Sequence, residues 1–167
     1  MSIIVEDGTG KSTAETYISV TDADAYFLVR GVTAWAALLT AAKEAALRKA
    51  ADFMTQAFTS RWQGLRAYPL TQALDWPRQG VVVDNVTVLI TVVPSVIQRA
   101  CAELALKASS GALSEDLTQG VTSETVGAIS VTYDKTSNRK TKYTAVEAML
   151  APYLKSGGGC SMGLVRS

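Results

Sequence analysis

Three groups of residues in this chain are of types that can do chemistry. The first is Gly8-Thr9-Gly10-Lys11-Ser12, which has the glycine, lysine and hydroxyl that close a phosphate-binding loop, where backbone amides and the lysine cradle a polyphosphate. The spacing argues against that use. The first glycine of such a loop would fall at Val5, and no helix follows Lys11 to aim its amides at phosphate, because the chain runs on into strand-like Tyr17-Ile18-Ser19-Val20. The stretch therefore reads as a glycine turn.

The second group, Arg61, Trp62, Arg66, Trp76 and Arg78, mixes guanidinium and indole groups that can stack single-stranded bases and neutralise phosphates. The same residues, with Pro77, can instead clamp a long loop onto the body, the indoles burying area and the arginines pairing with Asp52 or Asp75. The clamp of Trp62, Trp76, Pro77 and Arg78 is the favoured reading, because stacking platforms normally lie in a positive groove and this body is mildly acidic. The third group is the carboxylate pairs Asp22 with Asp24 and Glu115 with Asp116. The first suits a helix N-terminus and the second a solvated loop, and neither brings further ligands or apolar surroundings.

The chain has no histidine, which removes the usual general base and the commonest zinc ligand together. Its two cysteines, Cys101 and Cys160, are too far apart in sequence to form a metal-ligand motif or a disulfide framework. The expectation is a protein that is not an enzyme, with no catalytic residue, metal or cofactor.

The elements that must position these residues follow from 167 residues that are 48% hydrophobic, enough for one domain with a core. No run reaches the roughly 18 apolar residues of a membrane span, and the first residues carry acids where a secretory signal would carry lysines. The reading is soluble, unsecreted and without a membrane partner. Net charge is +1, but 6 basic residues and the single acid Glu147 lie from Lys135 onward, so a basic arm follows a mildly acidic body. Lys135, Arg139, Lys140 and Lys142 read equally as a solvated turn or, repeated around a ring, as a girdle facing DNA or a neighbouring subunit.

Along the chain, Ile3-Ile4-Val5 and Tyr17 to Val20 look extended. Thr21 is expected to cap a helix from Asp22 to about Arg30, ended by Gly31, and Thr33 and Trp35 open a helical turn. Thr40 caps the longest helix, Ala41 to Phe58, with Leu47, Ala50, Ala51, Met54 and Phe58 on one stripe. Thr59 to Gly80 is an aromatic-and-proline loop. Val81 to Val93 is a β-branched hairpin turning at Asp84-Asn85, and Pro94 is the first residue of a helix to about Ser110, with Ile97, Ala100, Cys101, Leu104 and Ala108 inward. Two strands fall within 121–134, a last helix runs from about Tyr143 to Lys155, and residues 157–167 form a flexible glycine-rich tail after a domain of residues 1–156. The fold class is mainly α with a small β component: a helical bundle with a β-hairpin and extended termini.

Several stretches together resemble a family of tailed-phage proteins labelled DnaT-like single-stranded-DNA-binding proteins, similar to head-to-tail connector or head-completion proteins. They are Glu6 to Gly10, Tyr17 to Val20 with Asp22 to Tyr26, Arg30-Gly31 with Trp35, Lys43 to Leu47, Gln72 to Gly80, Val93-Pro94 and the closing Leu164-Val165-Arg166. The most specific is Gln72-Ala73-Leu74-Asp75-Trp76-Pro77-Arg78-Gln79-Gly80, whereas Asp84 to Val92 is longer than the family's hairpin.

The resemblance implies an adaptor ring of about twelve copies beneath the portal, a structural virion protein at the head-tail junction assembled in the host cytoplasm. Its expected partners are the portal protein, a tail-side adaptor or tail terminator, further copies of itself, and double-stranded DNA passing through the lumen without sequence recognition. On this reading Leu164, Val165 and Arg166 dock the tail on the portal or a neighbour. The alternative is a single-stranded-DNA-binding module built on Trp62, Trp76 and the nearby arginines.

Overall fold

The computed structural model describes residues 3–114, 123–126, 129–132 and 142–155, the two middle segments as backbone only. Among the described residues, five α-helices and three two-stranded antiparallel ribbons make it mainly α with a small β component.

The core is the packing of α3 (Thr40–Phe58) on α4 (Ser95–Ser110). Leu47, Ala50, Ala51, Met54 and Phe58 recur at helical spacing and are all buried, as are Ile97, Ala100, Cys101, Leu104 and Ala108 opposite them. Alanines on both sides let the two backbones approach closely. Thr40 lies inside α3, and Leu39 is its N-cap without a side-chain bond; likewise Pro94 is the N-cap of α4 rather than its first residue.

α1 (Val20–Leu28) starts two residues earlier than Thr21 capping requires, because Ser19 is the cap: its Oγ accepts from the Asp22 amide at 3.0 Å and donates to Asp22 Oδ2 at 2.6 Å. Fixing the cap at Ser19 leaves Asp24 to turn toward the body, where Trp35 Nε1 and Lys43 Nζ donate to its Oδ1 at 2.7 and 2.9 Å. That carboxylate ties α1 to α2 (Thr33–Ala36) and to the start of α3.

β1 (Leu65–Arg66) pairs with β2 (Arg78–Gln79) across the aromatic loop, and β3 (Val82–Val83) with β4 (Val86–Thr87). Asp84 and Asn85 have φ of 51° and 63°, the two left-handed residues of a two-residue hairpin turn that suits strand twist. β5 (Ser123–Val126) pairs with β6 (Ile129–Thr132). The last helix is shorter than its sequence pattern: α5 (Thr144–Leu150) gives way to a 3-10 turn at Ala151–Tyr153, where Pro152 removes an amide from the helical ladder. Val146 and Leu150 pack α5 toward α4, and Leu154 forms an antiparallel bridge with Trp62. Among the described residues no helix is long and apolar enough to cross a membrane.

Candidate functional site

The glycine-rich stretch near the N-terminus is a closed loop around one side chain. Glu6 is fully buried, and its carboxylate accepts from the amides of Gly8 (2.9 Å), Gly10 (2.9 Å) and Lys11 (2.7 Å). Converging amides of this kind form an anion-binding concavity, and here the anion is the protein's own carboxylate. Lys11 turns away from that centre, its Nζ on the Val5 carbonyl at 3.0 Å and on Asp7 Oδ2 at 2.8 Å. The Lys11 ammonium and the Thr9 hydroxyl hold the Asp7 carboxyl far below its ordinary range. Gly8 has φ of 102° and lies directly against the Thr91 carbonyl, which a Cβ would strike. The loop is thereby locked under the segment following β4, with no place for a phosphate.

The aromatic loop is organised by Asp75, also fully buried. Its Oδ2 accepts from Thr59 Oγ1 (2.6 Å) and Trp62 Nε1 (3.1 Å), and its Oδ1 from Arg66 Nη2 (2.8 Å) and Nε (3.2 Å). The Asp75 amide donates to the Tyr17 hydroxyl at 3.0 Å. Burial first, and then the neighbouring Asp75 charge, push the Tyr17 phenol well above its usual range. Arg78 is committed to three backbone carbonyls, of Gln63 (2.8 Å), Asp75 (3.1 Å) and Gly64 (2.9 Å), and burial lowers its affinity for the proton. Gln72 spans the loop from Tyr68 to Leu74 and Pro77.

Trp62 and Trp76 are both 0% exposed and meet edge-to-face at 5.7 Å, extended on one side to Phe58 and on the other to Tyr153. Pro77, after a cis peptide bond, is buried beside them. No indole face is open for a base to stack on. Among the described residues Trp76 Nε1 has no hydrogen-bond partner. Arg61 is the most exposed arginine of this group and pairs with Glu147 at 3.3 Å. Asp52 is exposed and pairs with none of the arginines, because Asp75 alone lies inside the loop they clamp.

The remaining sequence candidates scatter. Asp22 serves the α1 cap and Asp24 the α1–α2–α3 junction, so that pair does not converge. Lys142 is exposed just before α5. Lys135, Arg139, Lys140, Glu115, Asp116 and the docking residues Leu164, Val165 and Arg166 lie outside the described residues.

The surface also carries two groups of exposed apolar side chains. Val82, Val86, Leu89, Ile90 and Val92, within eleven consecutive positions, are 41–68% exposed. Leu28, Val29 and Leu39 flank α2 at 79–81%. Neither set is marked in the sequence, since β-branched density signals a hairpin but does not say which face the body covers. Glu6 was missed as well; an acid directly before a glycine turn is its one signal.

The whole chain, residues 1–167, matches the family described as "Putative DnaT-like ssDNA binding protein". No curated protein and no solved structure matches it.

Proposed function

Because the chain belongs to this DnaT-like family, with its resemblance to phage head-completion proteins, we propose that it is an assembly subunit of a tailed-phage particle. In this reading it forms the adaptor ring between portal and tail, located in the virion. The observation that carries the reading is the contrast between its two kinds of aromatic and apolar groups. The indoles are buried, Arg78 is bonded to the chain's own carbonyls, and Arg66 and Arg61 are paired with Asp75 and Glu147, while residues 82–92 expose five aliphatic side chains. Aliphatic side chains at 41–68% exposure offer a protein partner buried area, at roughly 25 cal/mol per Å², and offer a nucleic acid little. The chain acts through contacts and not through bond-making, and its near-neutral charge suits a conduit through which DNA slides. The test is electron microscopy of the purified protein with and without portal rings. Added density capping the portal supports the reading, and its absence at saturating protein refutes it.

The family description itself favours a second reading, single-stranded-DNA binding. That activity would have to use groups other than Trp62 and Trp76, such as Arg61, Lys142 and the basic arm. Fluorescence anisotropy of a labelled oligonucleotide separates the readings, because neutralised phosphates make affinity fall steeply between about 50 and 200 mM salt. Tight, salt-sensitive binding establishes the second reading; its absence leaves the first.

A further inference from the structure

A surface pocket of about 450 Å³ opens where α1, the turn after it and α2 meet the first turns of α3. Phe27 and Trp35, each 1% exposed and with rings 5.0 Å apart, underlie its floor, and Val32, Thr33 and Ala36 form its wall. Leu28 stands at its edge, 79% exposed. Gly31 leaves the mouth unobstructed, since nothing lies within 4 Å of where its Cβ would be. The lining is apolar except for Thr33 and, at one end, Asp24 and Lys43. Both donors to Asp24, Trp35 Nε1 and Lys43 Nζ, use Oδ1, and among the described residues Oδ2 accepts from none; the side chain is 45% exposed. The site thus combines an apolar trough with one half-free carboxylate, which suits a short aliphatic segment flanked by a cation.

The chain contains such a segment. Met162-Gly163-Leu164-Val165 carries three apolar side chains and is followed at once by Arg166. We propose that this pocket seats residues 162–165 of a second copy of the chain, with the Arg166 guanidinium on Asp24 Oδ2.

Reach favours a second copy over the same one. Lys155 is pinned at the C-terminal end of α3, its amide on the Arg61 carbonyl at 2.7 Å and its Nζ on the Ser60 carbonyl at 3.1 Å. Lys43 lies in the first turn of the same helix, about 23 Å away along the axis at 1.5 Å per residue. The nine residues from Lys155 to Leu164 span at most about 30 Å. The straight-line separation alone is about three quarters of that reach, and a path over the surface of the body is longer. A neighbouring copy can bring its pocket closer, and head-to-tail seating of this kind closes into a ring or continues as a filament. The inference needs only copies of this chain, so it stands or falls separately from the portal-docking reading.

The experiment uses the full-length protein, prepared as an equal mixture of unlabelled and ¹⁵N-labelled chains. Cys160, two residues before Met162, is derivatised with benzophenone maleimide; Cys101 is buried beneath α3 and protected. After illumination, cross-linked peptides are mapped by mass spectrometry. The expected result is mixed-isotope cross-links from Cys160 to residues 28–36, with a yield lowered several-fold by Ala36→Arg, an exposed substitution that fills the trough. Circular dichroism establishes that the variant is folded. Cross-links of matched isotope only would assign the pocket to the chain's own tail, and cross-links elsewhere, or none, would remove the tail as its occupant; each overturns the proposal.

Discussion

Trp62 Nε1 donates to Asp75 Oδ2 at 3.1 Å while both side chains are shut off from solvent. The bond fixes the direction of the indole, and Trp76 and Phe58 cover its faces and edges. An aromatic-arginine cluster that resembles a base-stacking platform in sequence is thereby turned into the fastening of a loop.

Asp75→Ala should be among the most damaging single substitutions. It strips the acceptor from Trp62 and Arg66 together, leaving the Thr59 hydroxyl only the Thr55 carbonyl, and a guanidinium without its partner costs on the order of 3–5 kcal/mol in buried pairs. Arg66 is about a third exposed, so the lower end of that range is expected. Urea unfolding followed by tryptophan fluorescence measures the loss, and a change under about 1 kcal/mol would contradict the assigned role.

The two tryptophans should respond differently to phenylalanine. Trp62→Phe removes a donor and leaves Asp75 short of a bond, whereas Trp76→Phe removes an N–H that has no partner among the described residues. Both variants lose similar ring volume, so the larger fall in melting temperature is expected for Trp62→Phe. The reverse order would mean that the Asp75 bond contributes little.

Glu6→Gln keeps one carbonyl oxygen but turns an NH₂ group toward amides that need an acceptor. A loss of about 1–3 kcal/mol is expected, with faster hydrogen exchange at Gly8, Gly10 and Lys11. Unchanged exchange at those amides would show that the loop is held by other contacts.

Alkaline pH should weaken the fold through Cys101. Burial raises its thiol from 9.0 to about 11, so the unfolded chain releases this proton first. The stability it contributes is complete below pH 9 and declines as pH rises toward about 11, by roughly 1.4 kcal/mol for each pH unit in that window. Tyr17, its phenol also pushed upward by burial, adds to the decline at the upper end. Comparing urea midpoints at about pH 8 and 10.5 for the natural protein and Cys101→Ala checks this, with a smaller pH-dependent loss expected in the variant. Equal losses would exclude the thiol as a cause.

Much of the fold could be read from periodicity, because α3 and α4 each present one apolar stripe and the stripes face one another. Caps were harder. Ser19 and Thr21 are each followed three residues later by aspartate, and what separates them is tertiary: Asp24 is needed by Trp35 and Lys43. The two-residue pairing of β1 with β2 has no local signature, since the Arg78 bonds to the Gln63 and Gly64 carbonyls draw its ends together. Residue types alone singled out Trp62, Trp76 and Arg78, but whether they face solvent depends on one carboxylate, Asp75. The exposed aliphatic positions at 82–92 were equally hidden, since alternation does not reveal which side the body leaves bare.

The most direct test of the assembly reading is to image portal rings mixed with the full-length protein and, separately, with a Val86→Asp/Leu89→Asp variant. Both positions are more than 65% exposed, so the variant should fold with unchanged circular dichroism. The expected outcome is portals capped by the natural protein and several-fold fewer capped by the variant. Equal capping by both would contradict the role given to this apolar surface, and no capping by either would contradict the assembly reading itself.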